Sequence, residues 1–157
     1  MENKYKLVES KKTVNGKKLF QVVAIKNFGD VKNGDKGGYV ESERNLNQTG
    51  DCWISGDAKV SGDARVSGNA EVSGNAIVYG NAVVFGNAKV SGYAKIFRDA
   101  RIFGSAIVTE NAEVSGYAQV FENAVISENA KVSGYAKVSG NEVVSGNKEI
   151  FGNDRIK

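Results

Sequence analysis

The sequence contains no histidine and no proline, a single cysteine, and no long apolar run. Without histidine the commonest general base and the commonest metal ligand are both missing, so no catalytic residue, metal or cofactor is expected. Without proline every backbone N–H after the first residue is free to enter a ladder, which suits a chain lying mostly in paired strands. The lone Cys52 rules out an internal disulfide framework. No apolar stretch approaches the roughly 20 residues that cross a bilayer, and no membrane partner is expected. The opening Met-Glu-Asn-Lys-Tyr-Lys lacks the apolar segment of a secretory signal, so the expected location is cytoplasmic.

What is present is the composition of a folded chain, 41% hydrophobic and 25% charged over 157 residues. Charge is unevenly placed. Residues 1–36 hold nine lysines against Glu2, Glu9, Asp30 and Asp35, whereas the rest of the chain is slightly acidic, and the total is +3. That total is too small for a protein that coats DNA, and specific DNA binding is not expected.

From Ile54 to Ile156 an aliphatic residue returns at every sixth position, always Val or Ile. Two residues before each stands Cys52, then alanine from Ala58 to Ala136, then Glu142, Lys148 and Asp154. The unit reads Ser-Gly-Asn-Ala-x-Val. Six residues fit no α-helical period, but Ala-x-Val alternates as a strand does, with Ala and Val inward and x outward. Gly-Asn or Gly-Asp supplies the positive φ of a tight corner. Three strands and three corners close a triangular coil of 18 residues, and 18 strands make about six coils. Alanine at one of the two inward sites says the prism is narrow.

This repeat resembles the hexapeptide of left-handed β-helix proteins, whose best-known members are acyltransferases. The resemblance implies a left-handed parallel β-helix over residues 51–157. The segment Asn27–Val40, followed by Gly50-Asp51-Cys52-Trp53-Ile54, is similar to the start of a bacterial and phage hexapeptide-repeat group described as transferases, which implies an N-terminal cap over residues 1–50. Within that cap, Tyr5–Glu9 and Lys18–Ile25 read as strands of a β-hairpin turning at Asn15-Gly16, packed over the first coil.

Steps of 18 sort the outward positions into three faces. The first carries Trp53, Glu71, Lys89, Ile107, Val125 and Val143; the second Ile77, Tyr79, Lys95 and Phe97; the third Val83, Phe85, Arg101, Phe103 and Phe121. An aromatic ladder of Phe85, Phe103 and Phe121, with Ile77, Tyr79 and Val83 nearby, predicts self-association. The family resemblance gives that association the form of a homotrimer. Lys95, Phe97, Arg98, Arg101 and Phe103 are expected around one corner, with Tyr117 and Tyr135 stacked on the same edge. Two readings of this cluster stand. Arginine forks and aromatic faces suit a small anionic ligand such as a nucleotide in a groove between subunits; alternatively the aromatics pack the oligomer and the arginines pair with Asp99 or a neighbouring Glu.

Other motifs carry less. Gly34-Asp35-Lys36-Gly37-Gly38 lacks the spacing of a phosphate loop and is expected to form turns. Cys52 reads as a small buried hydrophobe. Trp53 is expected to pack against the cap. Glu142, Lys148 and Asp154 replace alanine on all three sides of one coil, which is therefore either the last or unwound. The preferred function is a non-catalytic binding trimer that sequesters a small anionic ligand, in keeping with the phage resemblance. The alternatives are an acyltransferase-like enzyme, disfavoured by the absence of histidine, and a structural spacer.

Overall fold

A computed structural model describes residues 2–157. Strands β1 (Tyr5–Val14) and β2 (Lys17–Ala24) form an antiparallel hairpin, followed by β3 (Lys36–Val40) and a single 3-10 turn at Glu43–Asn45. Eighteen two-residue strands follow, from β4 (Trp53–Ile54) to β21 (Arg155–Ile156). They pair in parallel with partners 18 residues away, as Lys95 does with Ile77 and Glu113. The result is a parallel β-solenoid of three sheets, and the three faces read from the sequence are those three sheets. Among the described residues no helix is long and apolar enough to cross a membrane.

Every inward alanine from Ala58 to Ala136 and every inward aliphatic from Ile54 to Val138 is fully buried. Each such valine or isoleucine stabilises the fold by about 1.5–3 kcal/mol. Because each coil touches only its neighbours, stability adds up coil by coil.

The corners follow the hexad too. All eighteen positions from residue 50 to residue 152 in steps of six have positive φ. Fourteen are glycine; the other four are Arg98, Glu110, Glu122 and Glu128, at φ 55° to 59°. A side chain in that region costs roughly 1–2 kcal/mol.

The solenoid starts earlier than residue 51. Tyr39 and Val40 pair in parallel with Lys59 and Val60, and Leu46 bridges Val66, so an irregular coil precedes the regular six and makes about seven in all. Gly37 and Gly38 lie in β3 and not in a turn. A Cβ on Gly37 would sit 2.4 Å from the Ile54 carbonyl oxygen, and one on Gly38 would sit 2.6 Å from Ile54 Cγ2. Glycine is needed there so that β3 can lie against the next coil.

The hairpin turns at Asn15 and Gly16, as the sequence indicates, but β1 runs on to Val14 past an irregularity between Glu9 and Thr13. It continues the second face's sheet, β1-β2-β3-β5, with β5 at Lys59–Val60. Tyr5, Leu19, Val22 and Ala24 are buried. The Tyr5 hydroxyl reaches the Leu46 carbonyl across the end of the first coil. Trp53 packs edge-on against Phe28 at 5.3 Å.

At the other end the last coil stays wound: Lys131 and Lys137 donate their N–H groups to the carbonyls of Lys148 and Asp154 at 2.9 Å. Glu142 is half-buried, and Lys148 and Asp154 are exposed. Charges at the inward sites thus meet water at an open end, which also discourages edge-to-edge stacking.

Candidate functional site

The third face is organised as columns. Along each coil it presents first the residue after the corner, then the outward strand residue, then the residue before the next corner. In successive coils these are Asp99, Arg101 and Phe103; then Tyr117, Gln119 and Phe121; then Tyr135, Lys137 and Ser139; then Asn153, Arg155 and Lys157. Parallel register aligns Arg101 with Gln119, Gln119 with Lys137, and Lys137 with Arg155. Rungs are spaced about 4.8 Å apart.

Two aromatic columns border this row of polar side chains. Tyr117 and Tyr135 stack at 5.0 Å and 4°, and they remain 55% and 61% exposed. On the far edge Phe85, Phe103 and Phe121 stack at 4.9 and 5.0 Å, each half-buried. On the second face Tyr79 stacks on Phe97 at 5.1 Å, with Ile77 and Lys95 aligned in the strands beside them. Burial first, then the Glu113 charge, pushes the Tyr79 phenol above its ordinary pKa, while Arg98 acts in the opposite sense.

A groove of about 600 Å³ runs along the tyrosine column on the third face, lined by Asp99, Arg101, Tyr117, Gln119, Tyr135, Lys137, Asn153 and Arg155. A second groove of about 590 Å³ lies on the other flank, where Arg98, Ser115 and Ser133 meet Asp99 and Tyr117. The expected ligand cluster is therefore divided. Arg101, Tyr117 and Tyr135 share the first groove, and Arg98 and Tyr117 share the second. Lys95, Phe97 and Phe103 line neither. Phe103 follows Arg98 by a whole strand and sits at the opposite edge of the third face, in the phenylalanine ladder.

Gln119, Lys137 and Arg155 lay outside the expected ligand cluster, although steps of 18 from Arg101 reach all three: Gln119 carries no charge, and the two cations stand two and three coils away. Val83, placed with the oligomer contacts, lies beside Arg65 and Leu46 in a shallow groove near the cap.

Charge pairing bears on the alternative reading of the arginines. Among the described residues the ion pairs are Lys12–Asp57, Lys17–Glu41, Lys18–Glu9, Arg44–Asp63 and Lys89–Glu71. Arg98, Arg101, Lys137 and Arg155 enter none of them, and Asp99 is not within ion-pair distance of either arginine. The tyrosine groove thus holds three cations against one carboxylate. By contrast, a groove beside the cap is lined by Asp30, Asp35, Asp51 and Glu71 with Lys36, and it repels an anion.

The fold places the chain among the parallel β-solenoid repeat proteins. A family model for the YdcK beta solenoid repeat matches residues 70–86, a stretch of about one coil. No curated protein matches the chain.

Proposed function

We propose that this protein is a non-catalytic binding protein for a small anionic aromatic ligand of the nucleotide class, held in the groove of Tyr117 and Tyr135. The observation that carries this reading is the juxtaposition of two exposed, stacked tyrosines with a column of cations that enter no ion pair among the described residues. A base stacked on an aromatic ring gains about 1–3 kcal/mol. Arg101, Lys137 and Arg155 supply charge-assisted hydrogen bonds to phosphate, with the arginines able to bind two oxygens at once. Gln119, between them, offers a donor and an acceptor to a base edge.

Capture without chemistry accords with a sequence that has no histidine to deprotonate an acceptor. The kinship proposed with hexapeptide-repeat proteins concerns the fold and not their acyl transfer. The phenylalanine ladder on the far edge of the same face is the proposed self-association surface, and the resemblance gives that assembly the form of a homotrimer whose seams contain the grooves.

The test is calorimetric titration of the full chain with mono- and dinucleotides at low salt. Micromolar or tighter binding that Tyr135→Ala and Arg101→Gln each weaken at least roughly tenfold supports the reading. No heat across the panel, or binding indifferent to both substitutions, overturns it.

A further inference from the structure

We infer that the corner formed by Arg98 and Gly116, on the second flank of the tyrosine ridge, is a subsite for an oxyanion, a phosphate or carboxylate group. At a corner the carbonyl oxygen is taken by the coil before it, as Gly116 O is by the Asp99 N–H at 2.8 Å and Gly140 O by the Asn123 N–H at 2.9 Å. The corner residue's own N–H takes no part in that ladder.

Two of these N–H groups show what they bind. Gly62 donates to Glu41 Oε1 at 2.8 Å, and Gly140 donates to Glu122 Oε2 at 2.8 Å. In both cases the protein's own carboxylate fills the corner. Glu122 stands one coil before Gly140 in the same column, 18 residues earlier. Arg98 stands in that same relation to Gly116. The backbones match as well, with φ 57° at both Glu122 and Arg98, and 68° and 65° at Gly140 and Gly116.

Only the charge is reversed. Where Glu122 brings an anion to Gly140, Arg98 brings a cation to the groove it shares with Gly116, whose N–H has no acceptor among the described residues. The hydroxyls of Ser115 and Ser133 line the same groove, and Asp99 is the single carboxylate in it. Arg98 also holds a left-handed backbone that glycine adopts freely at most sister corners, and such strain is typically kept where the side chain is used.

This deepens the proposed function and rests on it only for the ring that joins the two ends. Tyr117 lines both grooves. The ligand class is then one with two anionic ends and a ring between them, one end at Arg98 and Gly116 and the other along Arg101, Lys137 and Arg155.

The test is amide NMR of the full chain titrated with inorganic phosphate and, separately, with acetate. The expected result is a saturable shift of the Gly116 amide with at least one anion, while the Gly140 amide, already bound to Glu122, stays still. A response to one anion only identifies which oxyanion the corner takes. Arg98→Gln should weaken the response roughly tenfold. Arg98→Glu uses a side chain that three sister corners already carry; it should move Gly116 toward the Gly140 signature with no anion added and abolish the response. A Gly116 amide that moves with neither anion, or responds equally in Arg98→Gln, overturns the inference. Nucleotide binding with a silent Gly116 would remove the subsite and keep the proposed function. A saturable Gly116 shift without nucleotide binding would do the reverse.

Discussion

The Lys4 ammonium lies 2.8 Å from the Cys52 carbonyl oxygen and 3.3 Å from Cys52 Sγ, in a site where Lys4 is only 1% exposed. It also donates to the Gly50 carbonyl at 3.0 Å and lies over the Phe28 ring. Strand β4 is the edge of the first face's sheet, so the carbonyls facing the cap have no strand partner. One lysine closes that edge. Burial pushes its pKa below the ordinary lysine value, with Cys52 opposing.

Lys4→Met keeps the apolar stem and leaves those carbonyls buried without donors. The expected loss is about 3 kcal/mol, since each stranded group costs roughly 1–3 kcal/mol. Urea unfolding checks it, and the β2–β3 cap should lose amide-exchange protection before the middle coils do.

Tyr5 supplies a pH test. Burial, then the Glu43 charge, raises its phenol well above the ordinary tyrosine value of 10.0. A raised acid contributes stability that is complete below its unfolded pKa and is lost as pH rises toward the folded one. Tyr5→Phe should therefore cost about 1 kcal/mol near neutrality through the lost bond to Leu46. The gap from the parent should narrow as pH climbs above 10.0. Melting curves of both proteins from neutral to alkaline pH measure the difference.

Gly38→Ala tests the fit of β3. The new methyl would meet Ile54 Cγ2 at 2.6 Å and the Ala58 carbonyl oxygen at 2.7 Å. Destabilisation of about 2–3 kcal/mol is expected, in the range of overpacked cores. Gly16→Ala has no such neighbour, so only its positive φ is penalised, and it is the control in chemical unfolding.

Arg98→Gly restores the majority residue at its corner and should raise stability by about 1 kcal/mol. The same change should weaken ligand binding. Stability and affinity moving in opposite directions, measured by melting and calorimetry, mark a residue kept for use; a parallel change would not.

Phe103→Glu places a charge in the middle of the phenylalanine ladder, beside Phe85 and Phe121. Sedimentation should report a trimer for the parent chain and a monomer for the variant, with the melting curve little changed because the side chain is outside the core. A monomeric parent would remove the proposed assembly.

The regular coils were legible because burial here has a strict period. From Ala58 and Val60 onward each inward position is fixed by counting, and the structure departs from the count only where charges replace alanine at the end. The first coil was not legible. Tyr39, Val40 and Leu46 join it without the Ser-Gly-Asn corner, and the two glycines before them resemble turn residues although steric closeness requires them. Lys4 was illegible for another reason. A lysine near the start of a chain reads as solvated, and only the unpaired edge of β4 explains why it is drawn inward. At the candidate site the tyrosine stack could be read from register alone. The relation of Arg98 to Gly116 depends on which way a corner amide points, and residue spacing carries no such information.

The constant register has a consequence for how such a chain can lengthen. Duplicating or deleting one full turn returns every methyl group to the interior and moves the cap relative to the ridge by a single rung. An odd-numbered insertion inside a strand swaps interior for exterior there, and a single extra hexad moves every later strand to the next face. Growth by whole turns therefore keeps both the interior and the three outer columns in register, and the distance between the two ends is a quantity inheritance can adjust in fixed increments, like notches on a gauge.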